Sequence, residues 1–92
     1  MTKDMRIIYK YPTVSRIFLP EGYKVLKAGL QNGTIFVWIE LDKDREEVFA
    51  VQFMEYGTGM EIHDNPGIYI DSIFQEEFVW HVYYIQNVIE KD

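Results

Sequence analysis

Two histidines, two serines, a Gly-Thr-Gly segment and many carboxylates are the groups in this 92-residue chain that could do chemistry. His63 and His81 lie too far apart to form a helical metal-binding pair, so no metal site is assigned. His63-Asp64 beside Glu61 has the donors for a weak cation contact, but turn chemistry accounts for the same residues. His81, between Trp80 and Val82, reads either as a hydrogen-bonded structural histidine or as a ligand or interface contact, which a change in imidazole charge would make pH-sensitive. Ser15 and Ser72 lack the Gly-x-Ser-x-Gly setting that exposes a nucleophile on a sharp strand-to-helix turn. The adjacent pairs Glu46-Glu47 and Glu76-Glu77 fall in expected loops and point apart, which does not supply an opposed acid and base. Gly57-Thr58-Gly59 has neither the lysine nor the following helix of a phosphate loop. It suits a tight turn, although bare amides and the Thr58 hydroxyl could still contact an anion. Cysteine is absent, which excludes disulfides, thiolate nucleophiles and zinc-thiolate sites. No catalytic residue is assigned, and no cofactor is expected.

Charge adds a sharper signal than any motif. The net charge is −6, which argues against binding DNA or RNA, since phosphate neutralisation needs clustered Lys and Arg. Residues 1–30 nevertheless carry six cations against two acids, a balance of +4, while residues 31–92 carry three against thirteen, a balance of −10. One reading is a solvated surface whose two regions attract each other between subunits. The other is a local basic pocket for a small anionic ligand on an otherwise acidic protein. Aromatics make up 16% of the chain, among them Tyr11, Trp38 and Trp80. They serve a core or an interface, or alternatively a platform for a stacked ring.

The elements that must position these groups are strands. Residues 5–11, 14–19, 23–31, 34–41, 47–56, 68–74 and 78–85 read as seven strands, separated by Pro12, Pro20-Glu21-Gly22, Asn32-Gly33, Asp42-Lys43-Asp44-Arg45, Gly57-Thr58-Gly59 and Asp64-Asn65-Pro66-Gly67, and by Gln75-Glu76-Glu77. Asn32-Gly33 suits a type I′ hairpin turn, because both central residues need positive φ. In the arm before it, Leu26, Ala28 and Leu30 are expected on one face and Lys27 and Gln31 on the other. The pattern predicts one all-β domain over residues 1–92, a small antiparallel barrel or sandwich, with residues 86–92 as a polar tail. Strands 34–41 and 78–85 are apolar on both faces, and 48% of the chain is hydrophobic. So small a body cannot hide that much apolar surface alone, and a homo-oligomer is expected. No run approaches the roughly 20 apolar residues of a membrane helix, and the N-terminus lacks a signal-peptide pattern. Expected residence is therefore the cytoplasm, without membrane contact.

Several short segments, in order along the chain, carry a family resemblance. They are Ile8-Tyr9-Lys10-Tyr11-Pro12, Leu19-Pro20-Glu21-Gly22 leading into Val25-Leu26, and Trp38 in its strand; then Tyr56-Gly57-Thr58-Gly59 followed by Ile62, Tyr69-Ile70, and Val79-Trp80-His81-Val82-Tyr83. In these the chain resembles a family of small bacteriophage and prophage β proteins without an established activity. Strand 49–56 and the tail after Tyr84 depart from the pattern. The resemblance implies a compact phage-encoded protein, in the host cytoplasm. By analogy with phage counter-defence proteins, it suggests an oligomer that sequesters a nucleotide-type immune signal without turnover. On that expectation Lys10, Arg16 and Lys27 meet phosphate, Tyr11, Trp38 and His81 contact a ring or ribose, and Thr58 adds an anion contact. The competing expectation is a protein–protein interaction or structural accessory protein with no small ligand.

Overall fold

Seven strands make up most of residues 5–90, the part of the chain that the computed structural model describes. They are β1 (Arg6–Pro12), β2 (Ile17–Pro20), β3 (Lys24–Gln31), β4 (Thr34–Asp42), β5 (Glu47–Gly57), β6 (Ile68–Gln75) and β7 (Phe78–Val88). No helix occurs among the described residues. The turns follow from local chemistry: Asn32 and Gly33 have φ of 50° and 79°, as a type I′ hairpin requires, and Gly22 has φ of 86° after Pro20-Glu21.

The strands form two antiparallel sheets. The first has the order β1-β4-β3 and the second β2-β5-β7-β6. Alternation along β4 sets the layers. Ile35, Val37, Ile39 and Leu41 point inward and are buried, whereas Phe36, Trp38 and Glu40 point outward. The opposing sheet contributes Ile17, Leu19, Val51, Phe53, Ile73 and Val82 to the same core. Leu19, Val37, Ile39, Val51 and Val82 are 0% exposed, and each such side chain contributes about 1.5–3 kcal/mol by leaving water.

The expected barrel or sandwich resolves as a sandwich, because no ladder joins the two sheets along either side. β3 and β6 run near each other at the edges of their sheets without joining in a ladder. Both are bulged there, with register shifts between Val25 and Lys27 and between Tyr69 and Asp71. The seam is bridged by a side chain: the Ala28 amide donates to Asp71 Oδ2 at 3.4 Å. The bulge also corrects the expected facing of β3. Val25 and Ala28 oppose the inward Ile39 and Val37, and Leu26 is displaced into the bulge, 46% exposed. At the C-terminus the expected polar tail is partly strand. β7 continues through Val88, paired with β5 as far as Phe49, and the Ile89 amide bonds the Val48 carbonyl. Residues 91 and 92 of that tail lie outside the described residues.

Candidate functional site

The outer face of the first sheet concentrates the basic N-terminal third. Arg6 and Lys10 on β1, and Lys24 and Lys27 on β3, pair in register with the outward positions of β4. At one end the charge is compensated. Arg6 forms an ion pair with Glu40 and donates to the Gly22 carbonyl at 2.9 Å. The hydrogen bond from Arg6 holds the Glu40 carboxyl below its ordinary pKa, with further help from the charges of Arg6 and Lys24.

At the other end the charge is uncompensated. Lys10 and Lys27 flank Trp38 from opposite sides, each its register partner across β4. With strands spaced about 4.8 Å apart, the two lysine backbones are roughly 10 Å apart. The Lys10 ammonium lies 4.5 Å from the Phe36 ring centroid and donates to Gln31 Oε1 at 2.8 Å. That of Lys27 lies 5.6 Å from the Trp38 ring. Phe36 and Trp38 meet edge-on at 6.4 Å. Neither lysine has a carboxylate within ion-pair distance among the described residues. Gly29 makes room for this arrangement. A Cβ there would stand 3.2 Å from Trp38 Cζ3 and 3.4 Å from Lys27 Nζ, so the bare backbone lets the indole lie across β3. The result is two aromatic rings, two ammonium groups without a carboxylate partner among the described residues and one side-chain amide on a single sheet face.

Other expected residues lie elsewhere. His81 and Thr58 lie on the outer face of the second sheet, on the far side of the core. There the geometry is a chain of hydroxyls around an imidazole: Tyr69 OH to Ser72 Oγ at 2.6 Å, Ser72 Oγ to His81 Nδ1 at 2.8 Å, and His81 Nε2 to Thr58 Oγ1 at 2.9 Å. The Thr58 hydroxyl in turn reaches the Val79 carbonyl at 3.5 Å. Both imidazole nitrogens are engaged and the chain has donors and acceptors enough throughout, which fits a positioning network. A hydroxyl stands where a Ser–His nucleophile would have a carboxylate orienting the ring. No cluster of three or more metal-ligating side chains occurs among the described residues. Tyr11 faces the margin of the core, edge-on to Tyr9 at 6.2 Å. Burial first, then Tyr9 and Glu47, push its hydroxyl pKa up. Arg16 sits in the β1–β2 turn, 5.8 Å from the Phe18 ring, beside a groove of about 570 Å³ between β2 and the end of β7.

Of the seven expected residues, the fold therefore gathers Lys10, Lys27 and Trp38 in one place and Thr58 with His81 in another, and leaves Tyr11 and Arg16 apart. Phe36, Gln31 and Gly29 join the first group without having been singled out, and Ser72 and Tyr69 join the second. Ser72 opposite His81 was within reach of the sequence. A two-residue turn at Glu76-Glu77 pairs Gln75 with Phe78, and counting outward brings Ser72 to His81.

By architecture this is an all-β sandwich, one of whose outer sheet faces is aromatic and cationic, with no strand packed over it among the described residues. Residues 5–91 match the family described as Domain of unknown function (DUF7352), and the chain belongs to that family. No curated protein and no solved structure matches the chain.

Proposed function

We propose that this protein binds a small anionic molecule carrying a planar ring, of nucleotide type, on the outer face of its first sheet and holds it without turnover. The observation that carries the reading is the pair Lys10 and Lys27. Both are cationic, neither faces a carboxylate among the described residues, and each lies beside a half-buried aromatic ring. A ring stacked on Trp38 or Phe36 is stabilised by about 1–3 kcal/mol, and its phosphates fall between the two ammonium groups. Moving a lysine off a half-buried ring to meet phosphate costs about 0.5–2 kcal/mol. Binding alone needs no general base or metal. With the phage resemblance, the reading is of a counter-defence protein that sequesters a nucleotide-type immune signal in the host cytoplasm.

Titration calorimetry with cyclic dinucleotides, ADP-ribose derivatives and inorganic phosphate tests this. At least one ring-bearing ligand should bind, with phosphate alone far weaker. The Lys10→Gln/Lys27→Gln variant should lose about 100–10,000-fold in affinity, since charge-assisted contacts contribute about 1.5–3 kcal/mol each and every 1.4 kcal/mol or so is tenfold. Binding that survives this double substitution unchanged refutes the site, and binding by none of the ligands refutes the function.

A further inference from the structure

The most exposed aromatic side chains in the molecule sit at the tip of the β6–β7 hairpin. Phe74 is 76% exposed and Phe78 61% exposed. Between them lie Glu76 and Glu77, both exposed, and Glu76 takes a positive φ of 54° to make the turn. This tip carries two negative charges with one ring on each face of the hairpin, Phe74 on the outer face and Phe78 stacked on Trp80 on the other. Its base is held by the Gln75–Phe78 pairing and by Trp80 Nε1 donating to Gln75 Oε1 at 3.0 Å. Two phenylalanines so exposed on either side of a turn are unfavourable in water and mark a contact surface.

The face with Lys10 and Lys27 is the chemical complement of this tip: two positive charges for its two negative ones, and half-buried rings for Phe74 to lie against. Its aromatic end lies at the same end of the sandwich as the hairpin. Thr13, Gly33, Thr34, Gln75 and Trp80 line one hollow there, which brings the β1–β2, β3–β4 and β6–β7 turns together. Phe36 is two residues from Thr34 and pairs with Pro12 beside that hollow. A chain cannot bring its own tip onto its own face, because the tip extends the second sheet and the lysines stand on the far side of the first. A second copy can.

We infer that two copies of this chain dock end to end, the acidic phenylalanine hairpin of each lying on the lysine-aromatic face of the other. The arrangement is two-fold, so one geometry satisfies both tips and both faces and closes the assembly as a dimer. It goes beyond the ligand-binding reading by naming what covers that face when no ligand is present. Because tip and ligand meet the same lysines, ligand binding and dimerisation compete.

Charge exchange tests the contact. Light scattering at about 50 µM should give twice the chain mass for the wild type, well within the range of a moderate protein–protein affinity. The variants Lys10→Glu/Lys27→Glu and Glu76→Lys/Glu77→Lys should each be monomeric. Each juxtaposes like charges, so a weakening of at least about a hundredfold is expected. Mixed in equal amounts, the two variants should restore the dimer, since each reversed face then meets a reversed tip. Phe74→Ser, a change at a solvent-exposed position, should weaken the wild-type dimer about tenfold or more without altering the circular dichroism spectrum. A wild-type monomer at this concentration, or a dimer that persists in both single-sided variants, overturns the inference, as does failure of the mixture to restore it. The two readings part on the Glu76→Lys/Glu77→Lys variant, whose lysine face is intact. Nucleotide binding by that variant is expected whether or not the wild type dimerises.

Discussion

Gly67 and Gly59 share a backbone conformation and differ in surroundings, which allows strain and steric clash to be separated by substitution. Their φ angles are +97° and +93°, so alanine at either position adopts a region that L-residues rarely occupy. That strain costs on the order of 1–2 kcal/mol at both sites. A Cβ at Gly59 meets nothing within 4 Å. A Cβ at Gly67 would stand 2.9 Å from both the Tyr84 carbonyl carbon and Ile85 Cγ1, and still closer to the Tyr84 carbonyl oxygen. Relief requires the turn before β6 to separate from the β7 backbone by roughly half an ångström or more, and overpacking of this kind costs a further 1–3 kcal/mol or so. Tyr84 is not free to yield, being in register with Phe53 on β5 and Ile68 on β6. Gly59→Ala should therefore destabilise by about 1–2 kcal/mol and Gly67→Ala by about 2–5 kcal/mol. At about 4–8 °C per kcal/mol for a domain of this size, Gly67→Ala should melt roughly 5–20 °C below Gly59→Ala. Thermal unfolding followed by circular dichroism, checked by urea midpoints, measures both. Equal shifts for the two variants would refute the packing of the turn against β7.

Tyr56 is 6% exposed, its ring edge-on to Tyr83 at 5.8 Å, and its hydroxyl is buried without a partner. Tyr56→Phe should leave stability unchanged or raise it by up to about 1–2 kcal/mol, and a loss beyond about 1 kcal/mol in urea unfolding would mean that the hydroxyl is bonded in solution. Tyr23 has its hydroxyl pKa pushed up, chiefly by burial and then by Tyr84. A raised acid pKa in the folded state favours the neutral form. The stabilisation is thus complete below the ordinary tyrosine value of 10.0 and lost as pH rises beyond it. Urea midpoints should hold steady up to about pH 9–10 and fall above it, and Tyr23→Phe should make that fall shallower.

The strand count, the turns and the two-faced alternation of β4 were legible because each rests on a local rule. Asn32-Gly33 demands positive φ, and alternation of Ile35, Val37 and Ile39 with Phe36 and Trp38 is a two-residue period. The bulge at Leu26 was not legible. A bulge shifts the facing of every residue before it, and nothing in Lys24-Val25-Leu26-Lys27 by itself states which residue is displaced. The extension of β7 to Val88 was equally hidden. Gln86 and Asn87 are polar, yet β5 supplies backbone partners for them at Val51 and Ala50, and ladder pairing overrides side-chain polarity at an edge.

For the site, residue type alone determined that this protein has cations in its first third, an aromatic surplus and no thiol. Those statements need no coordinates, because they concern which groups exist. Which of the groups share a surface was decided only by the tertiary structure. Lys10, Lys27 and Trp38 meet because β1 and β3 both pair with β4, so residues far apart in sequence become register partners a strand's width apart. His81 and Thr58 are carried to the opposite surface because β5 and β7 belong to the other sheet, with the whole core between. Strand pairing is a non-local choice, and a ligand or a partner responds to the resulting juxtaposition of side chains.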